Sequence, residues 1–334
     1  QFSVGQSNPT YLLTDSGGQR YVLRKKPGGQ LLSKTAHAVE REFRVLQALG
    51  QHTRVPVPRV YVLCEDASVL GTPFFVMEFL DGRILSDVRM PEISPRERQR
   101  YWEALVDTLA MLHEVDFRNV GLETFGRDRG FYERQVASLK RVSQAQARAI
   151  GKGGELPGIE RLMPWLEEQT TRCPDETTLV HGDFKLDNVV FAKDEIRVIG
   201  ILDWELSTLG NPRADLANML QPLLTPYATG GLSVFAGLRG APASECAPDE
   251  RHLVARYCSK MGRSGELVGW TYAKVFALYR NAVIQQGIAA RVAMGQASSS
   301  FAKEVGEMLP NTMKRALETI GESGLGRSSA NSKL

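Results

Sequence analysis

Val180-His181-Gly182-Asp183-Phe184-Lys185-Leu186-Asp187-Asn188-Val189-Val190-Phe191 is the most informative stretch of the chain. Two apolar runs suited to short buried strands enclose a polar loop, and in that loop Asp183 and Asn188 stand five positions apart. Phosphoryl transfer needs a carboxylate to orient and deprotonate the attacking hydroxyl, with oxygen ligands for magnesium nearby. The loop offers both. Further on, Ile199-Gly200-Ile201-Leu202-Asp203-Trp204-Glu205 ends an apolar strand on another carboxylate, Asp203, a hard oxygen ligand of the kind magnesium takes beside phosphates. Singly, a loop Asp or Asn is most often a turn or cap residue, and His181 reads as a brace for the loop. H-G-D-x-x-x-D-N followed by a strand ending in D-W-E is too specific a combination for coincidence.

Upstream, the first 80 residues read as strands around one helix. Tyr11-Leu12-Leu13 and Tyr21-Val22-Leu23-Arg24 flank the turn signal Asp15-Ser16-Gly17-Gly18, a hairpin pattern. From Thr35 to Leu49, Val39, Phe43, Leu46 and Leu49 recur at helical spacing, with Gly50 as the expected stop. Val55-Pro56-Val57-Pro58 forces extended backbone, and Val60 to Leu63 and Phe74 to Phe79 supply two more strands before Asp81-Gly82 closes the section. A long helix then opens at Ser94-Pro95-Arg96-Glu97, a capping-box pattern with Pro in the first turn, and buries Trp102, Leu105, Leu109 and Leu112.

More helical patterns follow at Phe131 to Ile150, Ile159 to Thr170, Glu250 to Met261, Leu267 to Ile284 and Phe301 to Ile320, with strands expected at Thr178 to Val180, Val189 to Phe191 and Val198 to Leu202. A strand-rich front and a helix-rich back predict an α+β protein of two lobes: an N-lobe over 1–80, a C-lobe over 81–320 and a flexible tail over 321–334. The chain opens at Gln1 without a methionine, so the N-lobe is expected to be incomplete.

Composition narrows the function. With 334 residues, 43% hydrophobic and 24% charged, the chain is that of an ordinary globular enzyme. A net charge of +3 without long single-sign blocks shows no nucleic-acid footprint, and no apolar run reaches membrane-spanning length. Cys64, Cys173, Cys246 and Cys258 are far apart, and the five histidines form no ligand pair, so zinc chemistry and a disulfide framework are not indicated.

The loop and its following strand resemble the signature of the aminoglycoside phosphotransferase family, and the resemblance extends over nearly the whole chain. It implies a bilobal protein-kinase-like fold and transfer from ATP with Mg2+. Asp183 is then the catalytic base, Lys185 steadies charge on the transferred phosphate, and Asn188 and Asp203 hold the metal. Arg24 falls where the family carries a nucleotide-contacting basic residue, usually Lys, with Glu42 as its ion-pair partner; Lys25 or Lys26 could share that work. Ser7 and Asn8, in Ser3-Val4-Gly5-Gln6-Ser7-Asn8, fall in the family's phosphate-covering loop, although the G-x-G-x-x-G string is missing. Backbone groups of Glu78, Phe79 and Leu80 fall in the adenine-holding hinge, and Asp215 supports the catalytic loop. Plainer readings stand beside these: an exposed strand Arg, a solvated helix Glu, a solvent-facing Lys.

Within the family the style is that of phosphotransferase domains fused to acyl-CoA dehydrogenases, seen in Gly5-Gln6-Ser7-Asn8-Pro9-Thr10, Val22-Leu23-Arg24-Lys25-Lys26-Pro27, Gly71-Thr72-Pro73-Phe74 and Asp203-Trp204-Glu205-Leu206-Ser207-Thr208-Leu209-Gly210. That resemblance implies phosphorylation of the 4-hydroxyl of a 4-hydroxyacyl-CoA. Another small alcohol or amine, such as choline, a sugar or an aminoglycoside, is the competing acceptor, and a non-catalytic nucleotide-binding module is a third reading. Arg213, Arg239, Arg263, Arg280 and Arg291 suit phosphate or carboxylate groups better than a polycation. The final Ser332-Lys333-Leu334 matches the C-terminal peroxisomal address, so a peroxisomal import receptor is an expected partner.

Overall fold

The computed structural model describes residues 8–28, 38–227, 236–242, 245, 248–295 and 302–322. Asp15 Oδ1 accepts the N–H groups of Gly17 and Gln19, both at 2.9 Å. This Asx turn brings β1 (Thr10–Thr14) and β2 (Arg20–Lys25) into antiparallel register, Thr10 opposite Arg24. The chain continues through α1 (Val39–His52), β3 (Val60–Cys64), the single turn α2 (Ala67–Leu70) and β4 (Phe74–Glu78). The four strands form one antiparallel sheet in the order β1-β2-β4-β3, and α1 lays Val45, Leu46 and Leu49 into the core under it.

α1 does not stop at Gly50. A glycine ends a helix by turning left-handed, and Gly50 has no positive φ. The helix runs on to His52, where the Thr53 hydroxyl and N–H both donate to Leu49 O, at 2.7 and 3.0 Å. Of its expected first turn, Thr35 to His37 lie outside the described residues, and Ala38 is the non-helical residue just before the helix.

Beyond β4 the chain crosses to the second lobe through Asp81-Gly82. Gly82 is required there, because a Cβ would meet Phe191 O at 2.3 Å, and next to it Arg83 and Phe191 exchange two backbone hydrogen bonds of 2.8 Å. The second lobe comprises α3 (Pro95–His113), α4 (Phe131–Ile150), α5 (Ile159–Thr170), β5 (Thr178–Val180), β6 (Val189–Phe191), β7 (Val198–Ile201), β8 (Thr208–Gly210), α6 (Pro212–Met219), the short α7 (Gln221–Leu224), α8 (Glu250–Lys260), α9 (Trp270–Ala293) and α10 (Ala302–Glu322). The Ser94 hydroxyl donates to the Glu97 carboxylate at 2.5 Å instead of capping backbone N–H groups, so the expected capping box closes side chain to side chain.

β5 pairs with β8 and β6 with β7, both antiparallel. The β5–β6 connection is the His181-to-Asn188 loop, and the β7–β8 connection carries Asp203, so two ribbons aim both polar segments at one place. β8, α6 and α7 go beyond the sequence-based expectations, although Asn211-Pro212 starts α6 by ordinary rules, the Asn211 side chain accepting Arg213 N–H at 3.2 Å. α9 reaches Ala293, well past the expected end near Ile284. It packs against α4, α6 and α10, and a helix buried on most sides loses the one-face periodicity that marks its limits.

One hydrophobic core joins the lobes, running from Val22, Leu46 and Phe75 to Leu105, Phe184 and Phe191. A second lies within the helical lobe around Phe131, Leu166, Phe276 and Met313. This is a small β-rich lobe on a larger helical one, with both polar segments at the junction.

Candidate active site

The loop after β5 is fixed from beneath. Gly182 has φ +84°, and a Cβ there would meet Leu206 O at 2.5 Å, so only glycine fits. Asp215 of α6, 1% exposed, accepts the N–H groups of His181 at 2.6 Å and Gly182 at 2.8 Å. His113 Nε2 lies 3.4 Å from the same carboxylate and shares a hydrogen bond with the Tyr257 hydroxyl through its other nitrogen. Burial works against the charge on Asp215, but these contacts outweigh it and hold its carboxyl below the usual range.

His181 braces the loop from above. Its Nδ1 accepts Asp183 N–H at 3.2 Å, which leaves Nε2 to donate to Leu202 O at 2.8 Å. Leu202 N–H in turn donates to Asn188 O at 2.8 Å. The catalytic-type loop and the strand leading to Asp203 are thereby joined by hydrogen bonds.

The Asp183 side chain is 28% exposed and held on both sides. Asn188 Nδ2 donates to its Oδ2 at 3.1 Å and to its backbone carbonyl at 2.9 Å. Asn218 Nδ2 reaches its Oδ1 at 3.4 Å and Phe184 O at 3.2 Å. Lys185 Nζ stands 3.4 Å from both Asp183 and Asp187; burial disfavours its charge, and the two carboxylates outweigh that and raise its pKa. A carboxylate oriented in this way can take a proton from a hydroxyl placed beside it.

Facing the loop is an ionic cluster built on Arg24. Its Nε lies 2.8 Å from Glu42, and Nη2 lies 2.5 Å from Asp203 and 3.7 Å from Glu205. Burial opposes the guanidinium charge, and the three carboxylates outweigh it. Glu42, 2% exposed, is pushed up to about 7 by burial, with Arg24 pulling against that and Asp203 and Glu205 adding to it. Lys25 projects elsewhere and donates to Leu70 O at 2.7 Å, so of the three basic residues Arg24 meets this cluster. Asp203 adopts φ +66°, uncommon for a non-glycine residue and a mark of local strain at the turn.

Two residues expected at the nucleotide make contacts within the protein. Asn8 is buried and donates to Glu42 Oε1 at 2.8 Å, because a buried carboxylate needs donors. Glu78 is committed within its own lobe, its N–H to Arg59 O at 2.8 Å and its carboxylate to Arg59 N–H at 3.1 Å. Phe79 lies under the Arg20 guanidinium at 4.1 Å, and Leu80 O accepts Gly82 N–H at 3.1 Å. Ser7 lies outside the described residues. Asn218 escaped the sequence reading; its signal is a position three after Asp215, on the same helix face. Glu205 stood in the quoted motif without a role.

Among the described residues no group of three His, Cys, Asp or Glu is set to hold a metal. Asn188 and Asp203 instead offer a sparse set of hard oxygens, which suits magnesium completed by phosphates.

Residues 1–241 match the sequence model of the phosphotransferase enzyme family. The chain belongs to that family. This phosphotransferase is 40% identical over 333 residues to "Probable acyl-CoA dehydrogenase IBR3" of Arabidopsis thaliana, covering 98% of this chain and 39% of that protein. It thus spans about two fifths of the length of the curated relatives it matches. A crystal structure of a Ralstonia eutropha protein assigned as an aminoglycoside phosphotransferase superposes with a TM-score of 0.81 at 36% identity, over 96% of this chain and 91% of that one. A thermostable mutant of aminoglycoside phosphotransferase APH(4)-Ia, solved with ADP and hygromycin B, shares the fold at a TM-score of 0.61 and 14% identity, over 96% and 92% of the two chains. The kinase-like bilobal fold of the family is therefore that of this chain.

Proposed function

We propose that this phosphotransferase moves the γ-phosphoryl group of MgATP to the hydroxyl of a small hydroxyacyl-CoA or related hydroxy acid derivative. The observation that carries the reading is Asp183, oriented by Asn188 and Asn218 in a loop anchored on Asp215 and hydrogen-bonded through Leu202 to the turn whose Asp203 meets Arg24. In the reaction Asp183 accepts the hydroxyl proton as the acceptor oxygen bonds to phosphorus. The bond between phosphorus and the bridging oxygen of ADP breaks, and ADP leaves with that electron pair. Lys185 balances charge on the transferred group. Arg24, steadied by Glu42 and through it by Asn8, approaches the phosphates, and Phe79 and Leu80 border the adenine. A magnesium ion held by Asn188 and Asp203 would neutralise phosphate oxygens.

Acyl-CoA chemistry is supported by the named relative, an acyl-CoA dehydrogenase matched over nearly all of this chain. Ser332-Lys333-Leu334, outside the described residues, supports delivery to peroxisomes by the import receptor. An ADP-release assay across 4-hydroxyacyl-CoAs, choline and aminoglycosides tests the reading. Phosphorylated acyl-CoA is the expected product, and turnover of choline or an aminoglycoside alone would sink it.

A further inference from the structure

The seven arginines between Asn211 and Ser300 are not equivalent in the fold: Arg256 closes on Asp107 at 2.7 Å, and Arg251 is exposed in the first turn of α8. Arg213 and Arg263 close on Glu176 at 2.7 and 2.9 Å, Arg239 closes on Glu322 at 2.8 Å, and Arg291 is exposed near the end of α9. Arg280 stands apart. It is half-buried, has no carboxylate partner among the described residues, and its one hydrogen bond among them runs from Nη1 to Asn218 Oδ1 at 3.1 Å. It lines a cavity of about 180 Å³ beside the catalytic loop, whose walls include Gly182, Phe131, Phe276, Ala277 and Asn218. The other charged wall residue described, Asp215, has both oxygens on loop N–H groups.

We propose that Arg280 anchors the acceptor by binding the carboxyl oxygen of a short hydroxyacyl group, as a carboxylate or a thioester carbonyl, whose hydroxyl is presented to Asp183. One side-chain amide joins the two residues, so Arg280 Nη1 and the Asp183 carboxylate lie within about 9 Å of each other. A few carbon atoms with a hydrogen bond at each end span that gap. A cavity of about 180 Å³ is smaller than the roughly 300–1,000 Å³ of ordinary ligand pockets, which suits the acyl end and leaves a nucleotide handle to extend outside. Aromatic and aliphatic walls suit a carbon chain, and the single unpaired cation opposes an ammonium-bearing acceptor.

The assignment of the hydroxyl to Asp183 rests on the phosphotransfer reading, so the test separates binding from turnover. Wild type, Arg280→Gln and Arg280→Lys, each in the full chain with Mg2+ and the non-hydrolysable analogue AMP-PNP, are titrated by calorimetry with 4-hydroxypentanoate, its CoA thioester and choline. Unchanged melting temperatures establish that the variants are folded. The expected result is binding of an acyl compound to wild type, loss of at least about tenfold in affinity in Arg280→Gln and a smaller loss in Arg280→Lys. AMP-PNP affinity should stay constant and choline should not bind. Tighter binding of the thioester than of the free acid identifies the carbonyl as the ligand atom, and the reverse identifies the carboxylate. Equal acyl affinity in wild type and Arg280→Gln, or wild type that binds neither acyl compound, overturns the anchor. With ATP in place of the analogue, Arg280-dependent binding without phosphorylation removes the phosphotransfer reading and leaves the anchor standing. Phosphorylation indifferent to Arg280→Gln does the opposite.

Discussion

Asp183 and Asp203 occupy different electrostatic settings, and their variants should separate accordingly. Asp183 is oriented by two amide donors and touched by one Lys, so Asp183→Asn keeps the shape and removes the proposed proton acceptor. Transfer should fall by about 10²- to 10⁴-fold with nucleotide affinity nearly unchanged, measured by ADP release and by nucleotide titration. Near-normal turnover would show that another group takes the proton. Asp203 sits against Arg24, and Asp203→Ala should weaken Mg-nucleotide binding as well as turnover, because the proposed metal ligand and the partner of a buried guanidinium go together.

α6 matters to the site through one residue. Asp215 supplies acceptors to two loop N–H groups from inside the core, and Gly182 between them cannot be replaced without striking Leu206. Asp215→Ala should cost roughly 3–5 kcal/mol, since two buried donors lose their acceptor and His113 loses its charged neighbour. Urea unfolding reads this directly, and a cost under about 1 kcal/mol would mean that water replaces the carboxylate. Asp183→Asn should leave the urea midpoint almost where it is, which distinguishes a residue that acts from one that supports.

The two lobes are held by the continuous core and by the ionic contact from β2 to the turn after β7, so Glu42 couples pH to the stability of the whole molecule. Its carboxyl titrates near 7 when folded, against an ordinary 4.5. Between those values the folded state holds a proton that the unfolded chain has released, so this contribution is complete below about 4.5 and is lost as pH rises through 7. The loss is on the order of 3 kcal/mol. In the metal-free protein, urea stability from pH 5 to 7.5 should therefore fall less in Glu42→Gln than in wild type, and parallel profiles would count against it. Removal of Ser332 to Leu334 should leave melting temperature and activity unchanged and shift a tagged protein from peroxisomes to cytosol; continued import would end the targeting assignment.

Much of this molecule was legible one residue after another. The hairpin around Asp15, the strands on either side of the His181-to-Asn188 loop and the limits of α4 and α5 follow from local chemistry: turn residues, alternation and helical spacing act over a few positions. The same holds for Asp183 and Asn188, whose spacing the chain itself imposes. Other features depend on which faces meet. Arg24 touches Asp203 across 179 positions and Arg280 touches Asn218 across 62, and no local pattern reports that the N-lobe sheet stands over the turn after β7 or that α6 packs on α9. Asn8 read as a loop residue because its burial depends on Glu42, and Gly50 read as a stop because nothing adjacent to it shows that its φ stays negative. Periodicity tells which side of an element is apolar; the partner that side meets, and the polar groups trapped where they meet, are set by long-range packing and by the cost of leaving a buried charge or hydrogen-bonding group alone.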